Sequence, residues 1–160
     1  MIILGIDPGT TRIGFGVISE ESKKLQLVDY GVIESAPKQE AAKSISENCA
    51  KLAKILKKYK PEIAGIEKIF FAKNIKTGIS VAQTRGALIL ELTKENIKVK
   101  ELSPSEIKSS VAGYGMADKK AVAKMAAIIL GLKEGLKGYD DASDAVAIAI
   151  AAAFAKEYGK

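Results

Sequence analysis

The sequence predicts an α/β fold whose sheet opens as an antiparallel meander and is then extended by parallel strands. Three observations predict it. Strand-like segments follow one another at the N-terminus before any helical period begins. Beyond residue 39, helical stripes alternate with short apolar runs, the pattern of strand–helix–strand units. Two of the apolar runs end in a carboxylate, Asp7 and Glu67.

The first strand lies in Met1 to Gly16, MIILGIDPGTTRIGFG. Ile2, Ile3, Leu4 and Ile6 form an apolar run that a Pro-Gly turn closes, as in a strand buried on both faces. Asp7 at its end reads equally as an Asx-turn residue and as an acid that needs a cation or donors at the rim of the core. Ile13 to Ile18 and Leu25 to Ile33 alternate as two further strands, joined by the polar, hairpin-sized Glu20 to Lys24.

Gln39 to Tyr59 is a helix, with Ile45, Cys49, Leu52, Leu56 and Tyr59 as its apolar stripe. Pro61 stops it. Ile63 to Ile66 is a buried strand ending at Glu67. If it runs parallel beside the first, both acids emerge at the edge where open α/β sheets place their sites. In the following IFFAKN, one of Phe70 and Phe71 is expected in the core. The other is free to stack on an unpaired base beside Lys73, an interaction worth about 1–3 kcal/mol per base. Ile75 to Glu95 is a second long helix. Its small residues Gly78, Ser80, Ala82, Gly86 and Ala87 imply close packing on the sheet or on another subunit. Ile97 to Leu102 is the third parallel strand.

Ser103, Pro104 and Glu106 then compose a capping box for a short helix carrying Lys108. Gly113-Tyr114-Gly115 breaks it. Asp118 caps a helix from Lys119 to Leu130. Lys119, Lys120 and Lys124 cluster near its start, against the helix dipole; they read as phosphate contacts or as ordinary solvated lysines. The last helix begins in Asp140-Asp141-Ala142-Ser143-Asp144. Either Asp141 or Asp140 shares a face with Asp144, about 5–6 Å apart at the β-carbons.

Bulk properties narrow the chemistry. A chain of 160 residues with 48% hydrophobic content is expected to be a single domain with a real core. No apolar run reaches the roughly 18 residues of a membrane span, and no basic region precedes an apolar one, which predicts no signal peptide and a cytoplasmic location. Cys49 is the only cysteine and histidine is absent, which excludes an intrachain disulfide, a Ser-His-Asp triad and a His-ligated zinc. Carboxylates with a hard cation such as Mg²⁺ are the natural remaining chemistry. A net charge of +6 favours a polyanionic partner. Four acids from separate segments would repel one another unless divalent cations joined them, and two Mg²⁺ about 3.5–4 Å apart hydrolyse phosphodiesters without histidine.

The blocks GIDPGTTRIGFGVI, IEKIFFAKN with QTRG, GYGMADKK and DDASDAVAIA resemble, in order and spacing, the signature blocks of the RuvC-type Holliday junction resolvases. The resemblance covers nearly the whole chain. It implies a ribonuclease H-like fold with a five-stranded mixed sheet flanked by helices. It implies a homodimer that nicks opposing strands of a four-way DNA junction in recombination and repair, with two Mg²⁺ per site (Mn²⁺ as a substitute) and a branch-migration helicase complex as a further partner. It assigns Asp7, Glu67, Asp141 and Asp144 as catalytic metal ligands, choosing Asp141 over Asp140. It assigns Phe70, Lys73, Lys108 and Lys119 to DNA. Three positions depart from the family pattern: arginine falls one place late, at Arg12; Lys68 follows the catalytic Glu; Ala121 replaces a common glutamine. GIDPGTT also looks like the phosphate loop of sugar kinases and actin-like ATPases, but those need two lobes. A related nuclease of ribosomal RNA precursors would share only the first block.

Overall fold

A computed structural model describes residues 1–69 and 75–155. Its sheet holds β1 (Ile2–Asp7), β2 (Arg12–Glu21), β3 (Lys24–Glu34), β4 (Ile63–Glu67) and β5 (Lys98–Leu102), in the order β3-β2-β1-β4-β5. β1 to β3 are antiparallel neighbours, whereas β4 pairs parallel with both β1 and β5. The β2–β3 hairpin turns on Ser22 and Lys23, both at positive φ (49° and 65°). This is the backbone a two-residue hairpin demands, reached without the usual Asn-Gly pair.

The helices are α1 (Ala41–Tyr59), α2 (Ile75–Lys94), α3 (Pro104–Ala112), α4 (Lys119–Ile129) and α5 (Asp140–Phe154). Alternation along β1 divides the core in two. Ile3 joins α3, α4 and α5 on one face, while Leu4 and Ile6 join Leu52 and Leu56 of α1 and Leu88 and Leu92 of α2 on the other. The α1 stripe departs from expectation at one place. Asn48 is fully buried and Cys49 only half-buried, because Asn48 turns inward to donate from Nδ2 to the Thr10 carbonyl at 3.3 Å. That bond pins the β1–β2 loop just beyond Asp7.

Helix α5 lies unusually close to the sheet. Nine of its residues, mostly alanine, are buried, and glycines face it. A β-carbon on Gly5 would stand 2.0 Å from the Ala145 carbonyl oxygen, and one on Gly14 1.9 Å from that of Asp141. At the far end, the Lys100 ammonium donates to the Ala152 and Ala155 carbonyls, both at 2.9 Å, neutralising the negative pole of the helix. The first turn of α5 is therefore clamped against β1 and β2. Among the described residues, no helix is long and apolar enough to cross a membrane.

Candidate active site

Parallel pairing of β1 and β4 sets Ile6 opposite Ile66, so the next residues, Asp7 and Glu67, leave the sheet side by side. Asp144, one turn into α5, reaches the same place. The three carboxylates line one cavity of about 100 Å³, together with Lys108 of α3, Lys119 of α4 and an apolar floor that includes Ile107 and Ile148. α3 and α4 are fixed at this rim by their caps. The Ser103–Glu106 box starts α3, and the Asp118 side chain accepts from the Ala121 N–H at 2.7 Å to start α4. The site is thus assembled from two strand ends and three helix starts.

Burial, with like charge added to it, shows in the titration of Asp7 and Glu67. Burial, then the fields of Glu67, Asp144 and Asp141, push the Asp7 carboxyl up to about 7, against partial relief from Lys119. Glu67 is also raised, by burial and then by Asp144, with Lys119 and Lys108 opposing. Bound to Asp144, Lys119 is held above its ordinary value. Asp7, Glu67 and Asp144 present an all-oxygen donor set, the chemistry that suits a hard divalent cation. Its orientation is another matter. Among the described residues, no three acidic or cysteine side chains are arranged to hold a metal ion. Lys119 Nζ donates to Asp144 Oδ2 at 2.7 Å. Asp141 does not line the cavity and leans instead to Arg12, whose Nη1 is 3.7 Å from Asp141 Oδ2. Arg12 is itself held by Glu34 through Nε at 2.9 Å and lies 4.2 Å over the Tyr139 ring.

The expected residues fall into three groups. Asp7, Glu67, Asp144, Lys108 and Lys119 come together in the cavity; Asp141 is adjacent, within the field felt by Asp7; Phe70 and Lys73 lie outside the described residues. Asp140 is exposed and Asp141 half-buried, with the main chain of Asp141 against Gly14 of β2. Arg85 carried no assignment from sequence. It donates from Nε to the Glu67 carbonyl at 2.7 Å and pairs with Glu101, locking the strand end that presents Glu67. Its only sequence signal is its place in QTRG. A larger cavity, about 340 Å³, lies between the β1–β2 loop and the first turns of α1 and α2, with no carboxylate among its described lining residues.

A mixed sheet in this order, with acids at the carboxyl ends of its central strands, is the architecture of the ribonuclease H-like nucleases. Thermus thermophilus RuvC, in a structure determined in complex with Holliday junction substrate, superposes with a TM-score of 0.88 at 32% identity, covering 96% of this chain and 93% of that one. The family model "Crossover junction endodeoxyribonuclease RuvC" matches residues 3–152, and the chain belongs to that family. The crossover junction endodeoxyribonuclease RuvC of Brachyspira hyodysenteriae is 44% identical over 151 residues, spanning 94% of this chain and 92% of the relative. That of Petrotoga mobilis is 41% identical over 149 residues, spanning 93% and 91%.

Proposed function

We propose that this chain is a Mg²⁺-dependent endonuclease that resolves four-way DNA junctions by nicking opposing strands, acting as a homodimer. The observation that carries the reading is the convergence of Asp7, Glu67 and Asp144, from three distant stretches of sequence, on one cavity flanked by two lysines. In this reading Asp7, Glu67, Asp141 and Asp144 hold two Mg²⁺, with Mn²⁺ able to substitute. When bound, Mg²⁺ supplies an activated water and charge neutralisation for phosphodiester hydrolysis. The carboxylates fix that centre at the sheet edge. Lys108 and Lys119, which line the same cavity, draw the phosphate to it and offset its developing charge. Phe70 and Lys73 engage the unpaired bases and backbone near the crossover. Two-fold symmetry in a dimer matches the near two-fold symmetry of the junction and places one site at each of two strands.

The test is incubation of the protein with a synthetic four-way junction and Mg²⁺, with nicks mapped beside a linear duplex of the same sequence. Paired nicks in opposing strands of the junction alone are expected. Asp7→Asn should bind the junction and leave it uncut. Equal cutting of the duplex, or unimpaired cutting by Asp7→Asn, overturns the reading.

A further inference from the structure

Two of the proposed ligands are occupied by cations that belong to the chain. The Lys119 ammonium sits on Asp144 Oδ2 at 2.7 Å, and Arg12 draws Asp141 aside at 3.7 Å. The two cations differ in how they are held. Arg12 is anchored by Glu34 and by the Tyr139 ring, so Asp141 must turn away from it. Lys119 has 71% of its side chain in solvent; only its tip reaches the acids, and it can swing out without disturbing the core. Its position at the start of α4 is unfavourable to a cation, and the carboxylates opposite are what draw it in.

We propose that Lys119 is the resident counter-ion of the metal-free site, bound to Asp144 in place of a divalent ion, and that metal loading displaces its ammonium toward the substrate phosphate. The proposal rests on the metal-dependent reading above and adds an order of events to it. With Lys119 in place, Asp144 Oδ2 already has a cation partner, and among the described residues no three acids stand arranged around one ion. Once Asp144 turns to a metal, the lysine loses its partner inside the cavity and becomes free at its mouth, beside Lys108. One cation thus replaces another, and loading the site shifts the lysine toward its free form.

The experiment reads the lysine itself, without DNA. Reductive methylation of the folded protein, followed by peptide mass spectrometry, is compared in EDTA and in saturating Mg²⁺, with exposed Lys124 as internal reference. Lys119 labelling should rise on metal addition; in Asp144→Asn it should be high from the start and indifferent to metal. In parallel, calorimetry should find Mg²⁺ bound about two- to fivefold more tightly by Lys119→Met, the range an exposed ion pair can withhold. Labelling of Lys119 that ignores metal, or unchanged affinity in Lys119→Met, overturns the proposal while leaving the nuclease reading intact. Failure of the unaltered protein to bind Mg²⁺ or Mn²⁺ at all overturns both.

Discussion

Replacing Gly14 with alanine puts a methyl group into the backbone of the helix that carries two of the acids. Gly14 stands opposite Asp7 in the β1–β2 ladder. Its added β-carbon would lie 1.9 Å from the Asp141 carbonyl oxygen and 2.4 Å from the Asp141 carbonyl carbon. Ordinary contact begins near 3.4 Å, so the first turn of α5 must retreat by about 1.5 Å. No flexible side chain can absorb this, because the obstructing atoms are main chain. Overpacking of this kind costs about 1–3 kcal/mol, or roughly 3–10 °C in a domain of this size. The functional loss should be larger in proportion. Asp141 and Asp144 move with the turn, and a displacement of about 1 Å from the reacting geometry can lower rates about 100-fold. Junction nicking is to be measured well below the melting temperature of the variant, where all of it is folded, with calorimetric Mg²⁺ binding alongside. Nicking within threefold of the unaltered protein, with melting unchanged, would show that α5 does not bear on β2 as described and that the acids are not held by that contact.

Two further outcomes are expected. In EDTA, the fold favours the protonated form of Asp7, whose carboxyl titrates near 7 instead of 3.8; the favourable contribution is complete below pH 3.8 and is lost as pH rises through about 7, so the stability of the unaltered protein, followed by thermal melting, should fall relative to Asp7→Asn between pH 5 and 8, by up to about 3 kcal/mol, and parallel profiles would remove Asp7 from a buried acid cluster. Arg85→Lys keeps the charge but cannot serve both the Glu67 carbonyl and Glu101, and should weaken Mg²⁺ binding about 10-fold or more at little cost to melting; unchanged metal affinity would reduce Arg85 to a structural tie.

The parts of the site legible in sequence were those written in local pattern. The apolar runs Ile2–Ile6 and Ile63–Ile66, each closed by an acid, gave both strands and their carboxylates. The caps at Ser103 and Asp118 were readable because capping residues and their targets lie three positions apart. What stayed hidden depended on partners distant in sequence. Lys119 meets Asp144 across 25 residues and Asn48 meets Thr10 across 38. A lysine near a helix start and an asparagine beside an apolar stripe look the same with or without those partners. The Ser22–Lys23 turn was placed by its length alone, since its residues lack the glycine or asparagine that announces positive φ.

The same close packing explains why the acids tolerate one another before any metal arrives. α5 can approach the sheet only because alanines and glycines line the contact, and that approach brings its positive N-terminal pole, with Asp141 and Asp144 in it, against Asp7. The pole favours the two aspartates locally but cannot neutralise four carboxylates. The remaining repulsion adds to burial in raising Asp7 and Glu67, and a lysine and an arginine pair with the α5 acids. A looser helix would relieve the repulsion by moving away. Rigidity imposed by small residues on one side of the sheet is therefore what keeps Asp144 beside Asp7 and Glu67 despite their mutual repulsion.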